Sequence, residues 1–96
     1  KKKKMNRSDL IHKISKKASQ VKKSDVVEAT LLLIDVISNT LYRKDRVEIR
    51  GFGTFSVRER SARLARNPKT GSSIAVNSKF HPYFRASKLL RQLVNN

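Results

Sequence analysis

The chain has no cysteine and no tryptophan in 96 residues, and only three glycines, two prolines and seven acidic side chains. Without cysteine there is no disulfide framework, no thiolate metal site and no cysteine nucleophile. That absence suits a reducing compartment. Long apolar runs are missing too. The longest is Leu31–Ile34, whereas a membrane-spanning helix needs about 20 apolar residues. The opening KKKKMNRSD is basic but leads into no apolar stretch, so it does not read as a secretory signal. Met5 is a candidate natural start, with Lys1–Lys4 a basic tail that is either a non-native remnant or part of a longer tail, and residues 5–96 are expected to form one small domain.

The signs of catalysis are also missing. His12 follows Asp9 by three residues and His81 precedes Pro82, and neither has a nucleophile at a telling spacing. There is no P-loop, no G-x-G-x-x-G and no His/Asp/Glu cluster with metal-ligand spacing. The sequence therefore predicts no enzyme, no cofactor, no small-molecule substrate and no membrane partner.

What is abundant is positive charge. There are 23 Lys and Arg against seven Asp and Glu, a formal charge of +16, and the pI is about 11.1. Such a balance calls for a polyanionic partner. Residues 1–23 hold ten basic side chains and one acid, Asp9. Residues 24–50 hold four basic and five acidic ones, and residues 51–96 hold nine basic ones and only Glu59. The electrically ordinary middle is what a core element looks like, with the excess charge on either side.

Local pattern supplies the elements. Asn6 is placed to cap a first helix, with Asp9 three residues on and Leu10, Ile11, Ile14 and Ala18 at helical spacing. A second helix is predicted from about Ser24 to Arg43, with Asp25 and Glu28 in its first turn. Val26, Val27, Ala29, Leu31–Ile34, Val36, Ile37 and Leu41 occupy most of its circumference, leaving Glu28, Asp35 and Asn39 on one narrow polar face. A helix apolar nearly all round must be buried nearly all round. A second copy of the chain would cover it, and so would a sheet within a monomer; the dimer is the more economical solution.

RVEIRGFGTFSVRER then alternates as strands, with Gly51 and Gly53 marking a hairpin corner. NPKTG reverses the chain, Pro68 being pre-set for a turn and Gly71 free to take positive φ. SSIAVNSKF is expected to return as a third strand that Pro82 breaks. Ser87 is placed to cap a last helix whose Leu89, Leu90, Leu93 and Val94 pack inward. Arg58 and Arg60 share one face of their strand, Arg63 and Arg66 carry charge toward the turn, and Lys69 lies beyond Pro68. A two-stranded ribbon is thin enough to enter a DNA groove, and guanidinium groups are drawn into a narrow minor groove. The bland alternative, a solvated basic hairpin, is weakened because only Glu59 balances this run.

GFGTF (Gly51–Phe55), RNPKTG (Arg66–Gly71), PYFRASKLLR (Pro82–Arg91) and the opening MNRSDLIHKI together resemble the HU and integration host factor family of bacterial DNA-bending proteins, over Met5 to Val94. The resemblance implies an α+β fold: an intertwined dimer with a helical body of two N-terminal helices, a three-stranded antiparallel sheet extended into a β-ribbon arm, and a short C-terminal helix. The helical dimerisation part would span 5–44, the sheet 45–84 with the arm at about 58–79, and the C-terminal helix 85–96. It further implies that Pro68 is a wedge at the arm tip, and that Arg60, Arg63 and Arg66 line the arm. Asn67 would shape the tip and meet a base edge, Lys69 would add charge there, and Arg58 would sit at the arm's root. Arg85, Lys88 and Arg91 match a basic saddle, Arg7 a basic position on the first helix, and Phe52, Phe55 and Phe84 an aromatic core.

The implied function is that of a histone-like architectural protein of the bacterial cytoplasm and nucleoid. It would be a homodimer that binds double-stranded DNA through the minor groove and bends or compacts it with little sequence specificity. RVEIRGFGTF, with Glu48 and Arg50, resembles the integration host factor branch, where these positions assist sequence preference. The alternative is therefore a site-preferring subunit working with a different partner chain. The sequence departs from the family in carrying Leu64-Ala65 where Thr-Gly is frequent, Lys44 in the turn after the second helix near which glycine is frequent, and Ser87 where glycine is usual. A lysine at position 44 would have to accept a less favourable conformation or a different turn.

Overall fold

The computed structural model describes residues 3–96, so Lys1 and Lys2 of the basic tail lie outside the described residues. Two compact units are present, one up to Ser38 and one from Asn39 to Asn96.

Helix α1 spans Arg7–Lys17. The Asn6 side-chain oxygen accepts from the backbone N–H of Asp9 at 2.9 Å, and the Asp9 carboxylate accepts from the Asn6 N–H at 3.2 Å. Two orphan donors are thus satisfied reciprocally. Helix α2 spans Lys23–Tyr42, with Asp25 in its first turn. Val26 and Thr30 are buried. The Thr30 hydroxyl donates to the Val26 carbonyl at 2.8 Å, which lets a polar side chain be buried at little cost. Val27, Ile37 and Leu41 are half-buried, but much of the apolar circumference is not covered: Leu31 to Ile34 and Val36 are all exposed, Leu32 and Leu33 at 59%.

The end of α2 shows how the chain manages without glycine. Lys44 takes the left-handed conformation, φ 68°. Its N–H donates to Leu41 O at 2.9 Å, and that of Asp45 to Thr40 O at 3.1 Å. This pair of bonds is a Schellman motif. The left-handed backbone costs about 1–2 kcal/mol for a residue with a Cβ. Offsetting it, the Lys44 ammonium bonds Tyr42 O at 3.1 Å and lies 4.6 Å from the Phe80 ring centroid.

Strand β1 (Val47–Ile49) pairs antiparallel with β2 (Gly53–Arg60), and β2 with β5 (Lys79–Ala86), in the order β1-β2-β5. At the corner, Gly53 is required by close approach, since a Cβ there would lie 2.5 Å from Phe84 Cζ. Phe84 in turn gathers Phe55 and Phe52 at centroid distances of 4.8 and 5.3 Å. Strands β3 (Arg63–Arg66) and β4 (Ser73–Val76) form a second, two-stranded sheet. The expected third strand is therefore two strands, interrupted at Asn77-Ser78 opposite Ser61-Ala62. The register is nonetheless continuous. Arg60 lies opposite Lys79 and Arg63 opposite Val76, three residues on in each strand. No extra residue is inserted, so this is a break in hydrogen bonding and not a bulge.

Two expectations are corrected. Pro82 does not break a strand; it lies inside β5, opposite Val57. β5 is an edge strand, where a nitrogen without hydrogen can face the open side without losing a ladder bond. Helix α3 runs Lys88–Val94, not from residue 85, because Arg85 and Ala86 still belong to β5. Ser87 caps it as expected, accepting from Leu90 N–H at 3.0 Å. Of its apolar residues only Leu90 is half-buried, while Leu89, Leu93 and Val94 are exposed. Seven residues make a single short apolar stripe, covered only in part, at Leu90, among the described residues.

Candidate nucleic-acid interface

Strand alternation sorts the sheet into two chemically distinct faces. Residues paired across β2 and β5 share a face. One face carries Phe55, Val57 and Glu59 opposite Phe84, Pro82 and Phe80. The other carries Thr54, Ser56, Arg58 and Arg60 opposite Arg85, Tyr83, His81 and Lys79. Across β2 and β5 the second face has four Lys or Arg side chains and no acid, because alternation sends Glu59 to the first; Glu48 on β1, opposite Thr54, is the acid that joins it. Arg58 stacks on Tyr83, its guanidinium carbon 3.6 Å from the ring centroid.

At the corner end of this sheet, Arg50, Arg85, Lys88 and Arg91 line one groove, with Glu48 as its acid. Segments far apart in sequence are brought together there. Arg91 is steadied by a 3.3 Å bond from its guanidinium to Ala86 O. At the other end, Arg60, Arg63, Asn77, Lys79 and His81 surround a smaller depression where the sheet gives way to the arm.

On the arm the arginines divide. Arg63 and Ala65 stand opposite Val76 and Ile74, whereas Leu64 and Arg66 stand opposite Ala75 and Ser73. Arg63 and Arg66 thus project from opposite faces, so a ribbon in a groove would present one to each wall. The tip is built by Asn67. Its N–H donates to Ser72 O at 2.8 Å, and its side-chain oxygen accepts from the N–H groups of Lys69 (2.8 Å) and Thr70 (3.4 Å). Gly71 takes φ 76° and closes the turn by donating to Asn67 O at 2.7 Å. Pro68 and Lys69 are left exposed at the apex, with Asn67 half-buried beneath them.

Of the residues singled out from sequence, Arg50, Arg85, Lys88 and Arg91 are therefore gathered in one groove. Arg58 and Arg60 share a face, and Asn67, Pro68 and Lys69 form the tip. Arg7 opens α1 in the helical unit. Sequence reading missed Lys79, His81 and Tyr83. Their signal is present, since Lys79, His81, Tyr83 and Arg85 alternate with Phe80, Pro82 and Phe84. Taking Pro82 as a strand breaker hid it. Among the described residues no group of His, Asp and Glu could hold a metal ion, and no helix is long and apolar enough to cross a membrane.

Comparison with known proteins places these features. A family model described as bacterial DNA-binding protein matches residues 5–95. The integration host factor subunit beta of Dichelobacter nodosus is 48% identical over 91 residues, 95% of each chain. That of Teredinibacter turnerae is 42% identical, covering 95% of this chain and 93% of the relative. Among solved structures, the HU of an Anabaena HU–DNA cocrystal superposes with a TM-score of 0.83 at 36% identity, covering 94% of this chain and 97% of that one. HU from Thermotoga maritima gives a TM-score of 0.64 at 27% identity, over 94% of this chain and 98% of that one. A sheet-and-arm fold with a basic face, a sequence matching the family model nearly end to end, and relatives of both HU and integration host factor type show that this chain belongs to the bacterial DNA-binding protein family of HU and integration host factor.

Proposed function

We propose that the chain acts as a dimer that grips double-stranded DNA with its two arms, enters the minor groove and bends the duplex. The observation that carries this reading is the arm: a ribbon with arginines on both faces and an exposed proline held at its apex by the Asn67 turn. In the groove, Arg60, Arg63 and Arg66 would contact phosphates or the groove floor, and Pro68 would wedge between bases. Arg58, Arg85, Lys88 and Arg91 would receive the flanks of the bent duplex, with Arg7 and Lys69 adding phosphate contacts. Family membership makes this a DNA-binding protein and not an enzyme. The bacterial nucleoid is the place such a protein would work.

The magnitudes are compatible. Unstacking a base step costs about a few kcal/mol in minor-groove architectural proteins, of which this family is one. Smooth bending adds roughly 1–6 kcal/mol. A dimer doubles every basic residue, and release of counterions by those contacts offsets the deformation.

Dimerisation rests on the missing core. Val26 is the one buried hydrophobic residue among those described, and the chain exposes 8852 Å². A folded monomer of this mass exposes about 5,600 Å². The uncovered faces of α2 and α3 and the half-exposed Phe52–Phe84 pair are what a second chain would bury.

The partner chain is where a second reading gains ground. The similarity to integration host factor beta subunits favours a site-preferring subunit paired with a different chain. The placement of Glu48 and Arg50 in the groove with Arg85 and Lys88 agrees with it. Energy transfer between the ends of short labelled duplexes, titrated with this chain alone at several salt concentrations, tests both readings. A rise that fades with salt and is equal on unrelated duplexes supports a generic homodimer. A rise on one sequence only, or only after a second chain is added, supports the paired subunit. Binding without any change in end-to-end distance removes the bending role.

A further inference from the structure

We propose that Tyr83 is a positioning residue for DNA recognition, holding the Arg58 guanidinium ready for a backbone phosphate. This rests on the DNA-binding reading above.

The argument starts from what else could order Arg58. An exposed arginine is mobile, and a carboxylate partner is the usual restraint. Across β2 and β5 the face that carries Arg58 has no carboxylate: its members are Thr54, Ser56, Arg58 and Arg60 with Lys79, His81, Tyr83 and Arg85, and Glu48 on β1 shares the face only opposite Thr54, four residues along the strand from Arg58. Glu59, next in sequence, belongs to the opposite face. A carboxylate would also cancel the charge that a phosphate must meet. An aromatic ring does not. It restrains the guanidinium through its π face and leaves the net charge intact.

The geometry fits that role. Arg58 lies directly opposite His81, which makes Tyr83 its diagonal neighbour on the same face, a separation that an aromatic and a long side chain can bridge. At 3.6 Å from guanidinium carbon to ring centroid, the two planes must be close to parallel, because an edge-on guanidinium would drive a nitrogen into the ring. A stacked guanidinium keeps its in-plane N–H donors clear of the ring, as bidentate contact with a phosphate requires. Tyr83 is thus part of the interface through Arg58, at the point where sheet leads to arm.

A double-mutant cycle on duplex affinity tests this, using the full chain with whatever partner chain it needs to bind. Tyr83→Leu should weaken binding about fivefold, and Tyr83→Phe, which keeps the ring, should restore it. Arg58→Lys keeps the charge but cannot stack as a plane, and should lose a similar factor. Combining Arg58→Lys with Tyr83→Leu should lose no more than either alone. The salt slope separates positioning from charge: it should stay unchanged in these variants and fall only in Arg58→Ala. Thermal melting accompanies each variant, and Tyr83→Met takes the place of Tyr83→Leu in the cycle if that variant does not fold. Losses that multiply in the double variant, or Tyr83→Leu binding as tightly as the parent, would overturn the proposal. Failure of the parent chain to bind duplex would instead sink the DNA-binding reading itself.

Discussion

The side-chain oxygen of Asn67 accepts a hydrogen bond from the backbone N–H of Lys69 at 2.8 Å, closing a turn around the residue between them, Pro68. The exposed proline is therefore not loose at the end of a hairpin. Asn67→Ala should free the apex and reduce duplex bending by about half while leaving most of the affinity, which comes from arginine contacts elsewhere. Energy transfer at saturating protein is the measurement. Unchanged transfer would show that the turn holds without its side-chain bond.

Pro68→Ala should act on the same step more directly. Removing the ring takes away the apolar wedge without removing charge. Bending should fall well before affinity does, and equal loss of both would argue against insertion between bases.

Arg63→Ala should behave differently. Arg63 contributes charge from one face of the arm. Its removal should weaken binding to many sequences alike, by roughly tenfold for each arginine lost on the scale of one charge-assisted hydrogen bond, and hence by about a hundredfold for a dimer. The slope of log affinity against log salt should fall by about 0.9 for each phosphate left without its arginine, and hence by about 2 for a dimer. Weakening confined to one DNA site would reveal base readout instead.

Lys44 offers a test of stability that does not involve DNA. Lys44→Ala retains the left-handed backbone but no longer reaches Tyr42 O or the Phe80 ring, so it should destabilise by about 1 kcal/mol. Lys44→Gly gives up the same interactions but relieves the backbone, and should lie within about 0.5 kcal/mol of the parent. Thermal denaturation decides between them. A glycine variant as unstable as the alanine variant would mean that the strain is negligible.

The exposed face of α2 predicts concentration-dependent melting. If a second chain supplies the missing core, Tm rises with protein concentration. Leu33→Asp should then abolish cooperative unfolding at micromolar concentration. A concentration-independent Tm together with a tolerated Leu33→Asp would remove the shared-core reading.

The features legible in the sequence are those governed by bonds between near neighbours. The Asn6–Asp9 capping box, the Ser87 cap, the Asn67–Gly71 turn and the turn at Gly51 each involve residues within a few positions of one another. So does the conformation of Lys44, legible as a lysine in a glycine position. Hydrogen-bonding geometry and steric limits on φ act over that range and need no knowledge of the rest of the chain.

The tertiary structure decided what depends on register and on cover. Pro82 is tolerated in β5 only because that strand is at an edge, a property of the sheet and not of the residues around the proline. Arg58 meets Tyr83, and Arg50 lines one groove with Arg91, only because the tertiary fold brings distant segments together. A shift of one residue would exchange the basic and apolar faces throughout. The leucines of α3 form an apolar stripe that local pattern predicts to be covered, and their exposure follows from what packs beside them, which no local pattern encodes. Composition determined that this protein must meet a polyanion; pairing between distant strands determined which side chains meet it together.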